Sequence, residues 1–226
     1  RVALATELVH SYSLIHDDIM DDDNIRRGKP TTHKKFDQET AILAGNSLLT
    51  LAFEILADKK THPKHEIRAN LILQLALLSG HKGLAGGQSL DLLYEKKNAT
   101  EKNIVNMHEL KTAKLFEFCL CAPLIMSNIN DIKISKQAQK YGKNFGLIFQ
   151  ATDDLIDVIG NKVITGKETQ KDLKKNKGNI FKYKTQEDIK KYCIGLATKA
   201  TSNSTYFSCK DSLLYKLIFN IINRVT

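Results

Sequence analysis

Phe145-Gly-Leu-Ile-Phe-Gln-Ala-Thr-Asp153-Asp154-Leu-Ile-Asp157 is the stretch on which the reading of this chain turns. Its apolar residues recur at helical spacing and continue into Val158 and Ile159. Three carboxylates therefore sit inside an apolar helix. On a helix, positions i, i+3 and i+4 share a face, so Asp153, Asp154 and Asp157 are expected to converge. A second copy of the spacing, Asp17-Asp18-Ile-Met-Asp21, closes the apolar segment that begins at Arg1 and runs on into Asp22 and Asp23. Asp17, Asp18 and Asp21 are expected to converge in the same way. Like charges this close repel, and unpaired carboxylates among apolar residues are costly. Cations placed between them remove both problems. The ligands are hard oxygens, which suit Mg²⁺, an ion that shares its carboxylates with substrate phosphate oxygens. A single DDxxD also reads as a helix end or a solvated acidic turn. Two of them in apolar helices of one chain are specific, and facing each other they would hold a Mg²⁺–diphosphate.

Outward from these segments the chain reads as helix. Apolar periodicity marks Arg1 to about Met20, about Gln38 to Ala57, about His65 to Leu84, about Lys102 to Met126, about Ser135 to Ile159, and about Asp211 to Asn223. The second segment is apolar almost all round, which predicts a buried helix. Ser135 reads as an N-cap, and Pro123 is expected to kink or end its helix. Thr185-Gln-Glu-Asp188 resembles a capping box that opens one more helix. Gly86-Gly87-Gln88, followed by Asp91, reads as a helix break. No alternating strand, internal repeat or dividing linker stands out. The expectation is all-α: one domain over 1–226, a bundle of long helices around a central cavity.

Composition narrows the function classes. The 226 residues are 42% hydrophobic and 26% charged, a globular balance. No uninterrupted apolar run approaches a membrane span, so stable membrane insertion is not expected. Arg1 opens directly into a helical pattern, which predicts that N-terminal helices are missing from this chain. Cys119, Cys121, Cys193 and Cys209 have no CxxC spacing, as for reduced thiols in a cytoplasm. The net charge of +9 is largely local: residues 162–191 hold ten lysines against four acids. No aromatic-interleaved basic motif accompanies it, so no nucleic-acid partner is expected. The stretch reads as a solvated face, or as a holder of polyphosphate.

Basic residues accompany the acids. Arg26-Arg27-Gly28-Lys29-Pro30 follows the first cluster, and arginine forks suit diphosphate oxygens, although they also neutralise nearby aspartates. Lys111-Thr112 offers a cation and a hydroxyl between apolar runs, with a surface lysine as the alternative. His62 and His65 read as loop histidines.

These motifs together resemble the trans-isoprenyl diphosphate synthases, nearest in look to the bacterial short-chain farnesyl and geranylgeranyl types. The matching stretches are Leu14-Ile-His-Asp17-Asp18, Arg26-Arg-Gly-Lys-Pro-Thr31, Gly86-Gly-Gln88, Lys111-Thr112, Phe149-Gln-Ala-Thr-Asp-Asp154, and Gly166-Lys167 with Lys171-Asp172, in the family's order. The resemblance implies a Mg²⁺-dependent head-to-tail condensation of isopentenyl diphosphate with an allylic diphosphate, farnesyl diphosphate being the foremost product. It implies three Mg²⁺ on Asp17, Asp18, Asp21, Asp153, Asp154 and Asp157. It places Arg26, Lys111, Lys167 and Lys177 on the allylic diphosphate and Arg27 on the isopentenyl one. Thr112 and Gln150 would lie beside the allylic cation, with the Lys-rich stretch as a lid. The family also implies a homodimer through the apolar second helix and its neighbours.

Three features depart from the family pattern. The upstream basic motif is absent, the first aspartate motif lacks the two extra residues of bacterial farnesyl enzymes, and Gln170 stands where many relatives have Gly. Tyr12 lies five residues before Asp17, roughly 7.5 Å along a helix. At the position where the family commonly sets product length, its ring favours fifteen or twenty carbons; the alternative is an ordinary core tyrosine. Geranylgeranyl synthesis, a class I terpene cyclase and an inactive partner subunit are the competing readings. A cyclase usually replaces the second motif with an Asn/Ser/Glu one, and here it is Asp153-Asp154-Leu-Ile-Asp157.

Overall fold

Asp37 starts the helix that the periodicity marked most clearly. Its carboxylate accepts the Thr40 N–H at 2.6 Å, and the helix runs Gln38–Ala57. The computed structural model describes residues 1–159, 180, 183–202 and 206–223, the side chains of 157–159 excepted. Among them the order is α1 Val2–Met20, a two-residue ladder β1 Ile25–Arg26 and β2 Lys29–Pro30, α2 Thr32–Lys35, α3 Gln38–Ala57, α4 His65–Ser79, α5 Leu84–Lys96, and α6 Glu101–His108. A π-helical turn, Glu109–Ala113, leads into α7 Lys114–Met126, followed by α8 Ile132–Ile159, α9 Gln186–Thr201 and α10 Leu213–Ile222. The all-helical expectation holds.

Two apolar cores organise the bundle. One gathers α1, α3, α4 and α7 around Val9, Leu56, Leu71, Leu75 and Phe118. The other gathers α8, α9 and α10 around Tyr141, Ile148, Ile189 and Ile218. Tyr141 is fully buried, and its hydroxyl donates to the Leu214 carbonyl at 2.6 Å, which ties α8 to α10. Helix α7 joins the cores, with Phe118 and Ala122 in the first and Phe116 and Leu120 against the second.

Several local expectations are corrected. Helix α8 begins before Ser135, because the Asp131 carboxylate accepts the N–H groups of Lys133 and Ile134 at 2.7 and 3.0 Å. Gly86-Gly87-Gln88 is no break; it lies in the first turn and a half of α5. Its glycines are there for contact rather than for a turn, since a Cβ on Gly87 would lie 2.1 Å from the Lys111 nitrogen. A short hairpin exists, with Arg27 (φ 52°) and Gly28 (φ 74°) both left-handed, as a type I′ turn requires. Helix α3 is not buried all round: Ala41, Gly45, Ala52 and Leu56 face inward, while Ile42, Leu43 and Leu51 are exposed. It is also long and apolar enough, by length and composition, to cross a membrane, with a mean hydropathy of 1.6 and 22% of that window buried. Counting uninterrupted apolar runs missed this, because Asn46, Ser47 and Thr50 break the run without lowering the mean enough. The Thr185 capping box, by contrast, forms as read, with the Thr185 and Asp188 side chains each meeting the other's backbone.

Candidate active site

The first aspartate motif occupies the last turn and C-cap of α1. That end of a helix is the negative pole of its dipole, and the turn carries no basic residue. Cations therefore have to come from elsewhere. The hairpin supplies Arg26, whose Nε lies 2.6 Å from Asp18 Oδ1 and whose Nη2 lies 3.7 Å from Asp17 Oδ2. Helix α2 supplies Lys34, 2.6 Å from Asp22. The π turn supplies Lys111, whose Nζ lies 3.2 Å from Asp17 and 2.6 Å from Asp91 of α5. Burial works to lower the Lys111 pKa, but Asp17, Asp91 and the Asp91 hydrogen bond outweigh it, and the net shift is upward. The ammonium is fixed as a cation.

The π turn is gripped from two sides. Gly87 of α5 lies against the Lys111 backbone, and a Cβ on Gly146 of α8 would lie 2.4 Å from Ala113 Cα. Helices α5 and α8 thus approach the wide turn backbone to backbone on both flanks. The turn aims two consecutive side chains in different directions. Lys111 reaches the first aspartate motif; Thr112 donates to Gln150 Oε1 at 2.8 Å, toward the second.

The second motif begins from Gln150. Its Nε2 donates to Asp154 Oδ1 at 2.9 Å, and the Ile180 N–H donates to Asp154 Oδ2 at 3.2 Å. His108 Nε2 lies 3.7 Å from the same oxygen. Asp154 is 3% exposed, and burial pushes its carboxyl up to about 7 against the pull of the Gln150 and Ile180 hydrogen bonds. Asp153, its neighbour, is exposed. Asp18 follows the same logic: burial raises its pKa, and Arg26 opposes that.

Within each adjacent pair of acids the two members have different surroundings. Successive helical residues point about 100° apart. Asp153 is exposed and Asp17 is partly buried beside Lys111 and Arg26, while Asp18 and Asp154 are buried and engaged by Arg26 and by Gln150 with Ile180. Among the described residues no three carboxylate, imidazole or thiol groups stand close enough to hold a metal by themselves. Arg27 is exposed at the hairpin turn, and Tyr12 is partly buried against the first core. Asp157 lies one turn on along α8, with its side chain outside the described residues, as are Gly166, Lys167, Gln170, Lys171, Asp172 and Lys177. Asp91 and His108 were not singled out from sequence as site residues. Asp91 had a signal, because it lies four residues after Gly87 on one helix face, the face that meets Lys111.

A family model described as Polyprenyl synthetase matches residues 1–201. The farnesyl diphosphate synthase of Micrococcus luteus is 43% identical over 176 residues, 77% of this chain and 60% of that protein. The farnesyl diphosphate synthase of Bacillus subtilis is 38% identical over 222 residues, 96% of this chain and 74% of that protein. The geranyltransferase from Helicobacter pylori, solved in complex with magnesium and isoprenyl diphosphate, superposes with a TM-score of 0.82 at 34% identity, covering 99% of this chain and 72% of that one. The chain thus spans from 60% to about three quarters of these relatives' lengths.

Proposed function

The chain belongs to the polyprenyl synthetase family, and from that premise we propose that it condenses isopentenyl diphosphate with an allylic diphosphate, head to tail, to a product of fifteen or twenty carbons, farnesyl diphosphate foremost. One observation carries the reading. Lys111 and Thr112, adjacent on the π turn, tie the first aspartate motif to the second. A cation, a hydroxyl and both motifs then surround one place, as ionisation of a diphosphate ester requires.

In this reading Asp17, Asp18, Asp21, Asp153, Asp154 and Asp157 would hold Mg²⁺, and their hard oxygens suit it. No described triad suffices alone, so substrate oxygens complete the coordination. Bound Mg²⁺ neutralises the charge that builds on the departing diphosphate. Lys111 and Arg26, with Lys167 and Lys177, hold that diphosphate, and Arg27 holds the isopentenyl one. The allylic C–O bond breaks with its electron pair going to diphosphate. The alkene of isopentenyl diphosphate then bonds to the allylic carbon, and a proton leaves to the released diphosphate. Thr112 and Gln150 lie beside the cation, oriented by their mutual hydrogen bond and by Asp154. Asp18 and Asp154 also position Arg26 and Gln150 through their hydrogen bonds. The growing chain occupies an apolar cavity with Tyr12 as its floor.

A homodimer belongs to the same proposal. Ile42, Leu43 and Leu51 of α3 and Leu73 and Leu77 of α4 are exposed apolar residues, and a second copy would cover them. All four cysteines are free, which supports cytoplasmic residence.

The test supplies the protein with Mg²⁺, isopentenyl diphosphate and dimethylallyl, geranyl or farnesyl diphosphate, and identifies products by chromatography. A fifteen- or twenty-carbon diphosphate that disappears in Asp153→Ala is expected. Cyclised hydrocarbon would instead indicate a cyclase, and absence of turnover a non-catalytic subunit.

A further inference from the structure

Helices α1 and α3 approach each other across Gly45. A Cβ at that position would lie 2.3 Å from Nε2 and 2.5 Å from Cδ2 of His16, so the imidazole fills the space any side chain at 45 would need. The ring is held on two sides. Its Nε2 lies 3.2 Å from the Ile42 carbonyl oxygen, a hydrogen bond in the tautomer that carries the proton there. It also meets the Tyr12 ring, with centroids 4.9 Å apart and planes at 72°, the edge-to-face geometry that aromatic rings favour. Tyr12 lies one turn earlier on the same face of α1. Tyr12 also packs against the first core, as do Leu49 and Phe53 of α3.

We propose that Gly45 is a specificity-determining residue: by leaving room for His16 it fixes the Tyr12 ring, and so sets the length of the isoprenoid product. The inference rests on the reading of Tyr12 as the cavity floor. A methyl group at 45 clashes with the far end of a side chain, not with backbone. The imidazole is therefore what gives way, from 2.3 Å to at least 3.4 Å, and it takes its Ile42 hydrogen bond and its Tyr12 contact with it. Without that lateral support the tyrosine ring turns out of the path of the growing chain. Gly45 lies on α3 and reaches Tyr12 through His16, the residue before Asp17.

The experiment compares product lengths from the protein, Gly45→Ala, Tyr12→Ala and the double variant, under the assay above. Gly45→Ala is expected to raise the share of product one five-carbon unit longer at least threefold. Tyr12→Ala is expected to lengthen product further, and the double variant to match Tyr12→Ala alone, because the two positions act in series. If Tyr12→Ala lengthens product while Gly45→Ala leaves it unchanged, or if the two effects simply multiply, the inference is overturned and the Tyr12 reading survives. If Tyr12→Ala changes nothing, both fall. A second readout needs no turnover. The His16 ring protons carry a ring-current shift from Tyr12, which Tyr12→Ala abolishes and Gly45→Ala alters; an unaltered His16 spectrum in Gly45→Ala also overturns the inference.

Discussion

Alanine at position 87 would put a Cβ 2.1 Å from the Lys111 nitrogen and 2.4 Å from its Cα. Both are backbone atoms, so no change of rotamer relieves the clash. Helix α5 and the π turn must separate until the gap reaches at least 3.4 Å, a shift of more than about 1 Å. Displacement of a positioning group by that much costs about 10²-fold in rate. Overpacking of this kind costs about 1–3 kcal/mol of stability. At this chain length each kcal/mol moves Tm by about 2–4 °C. Gly87→Ala is therefore expected to remain folded, to melt several degrees lower, and to lose about two orders of magnitude in kcat at saturating substrates. Gly195→Ala is the matched control. That glycine lies inside α9, and a methyl group there would meet nothing within 4 Å, so alanine should stabilise by about 0.5–1 kcal/mol. Calorimetry and steady-state kinetics on the pair decide the matter. Wild-type kcat and Tm in Gly87→Ala would refute the claim that the α5 contact holds Lys111 in place.

Asp91→Asn keeps the shape but removes the charge that faces Lys111 at 2.6 Å; a charge-assisted hydrogen bond of about 1.5–3 kcal/mol is weakened, so kcat/KM should fall about ten- to a hundredfold, and an unchanged value would exclude Asp91 from positioning Lys111. Asp154 carries its carboxyl at about 7 in the folded chain, above its unfolded value, so between about pH 4 and pH 7 the native state binds a proton that the unfolded state has lost. Stability from this group is full at the acid end and is lost as pH rises toward 7, by up to about 4 kcal/mol. Urea unfolding in Mg²⁺-free buffer at pH 5 and pH 7.5 should show that loss and show it removed in Asp154→Asn; an equal pH slope in both proteins would sink the assignment.

Much of the fold was legible because it rests on local rules. Helix α3 has the bounds its periodicity predicted, and the Thr185 capping box needs only residues three apart in the chain. The arrangement of the candidate site was less legible. Thr112 meets Gln150 and Lys111 meets Asp17 and Asp91, contacts between residues far apart in sequence, and the burial of Asp18 and Asp154 depends on which face of α1 and α8 each core covers. The π turn has no local signature in Glu109-Leu-Lys-Thr-Ala113. Gly87 and Gly146, both distant from it in sequence, let two helices lie against it. The exposed face of α3 misled for a related reason. Periodicity records which residues of a helix are apolar, not which of its faces the rest of the chain packs against.

The pairing of Lys111 with two aspartates has a consequence for how the site loads. An aspartate that holds a lysine in the free protein must release it to bind a cation, and a buried lysine left without a partner is strongly destabilised. Asp17 can leave Lys111 without that penalty, because Asp91 stays 2.6 Å from the ammonium. Arg26 is placed similarly. Asp18 holds its Nε at 2.6 Å, while Asp17 is only a loose second partner at 3.7 Å. Asp17 is thus the acid whose cations are each secured by another carboxylate. Asp91 and Asp18 anchor the basic groups, which leaves Asp17 able to exchange partners while Lys111 and Arg26 stay fixed where, in the proposed function, a diphosphate would arrive. A carboxylate pair of this kind, one member anchoring and the other exchanging, gives the adjacent Asp17 and Asp18 different parts in that proposal.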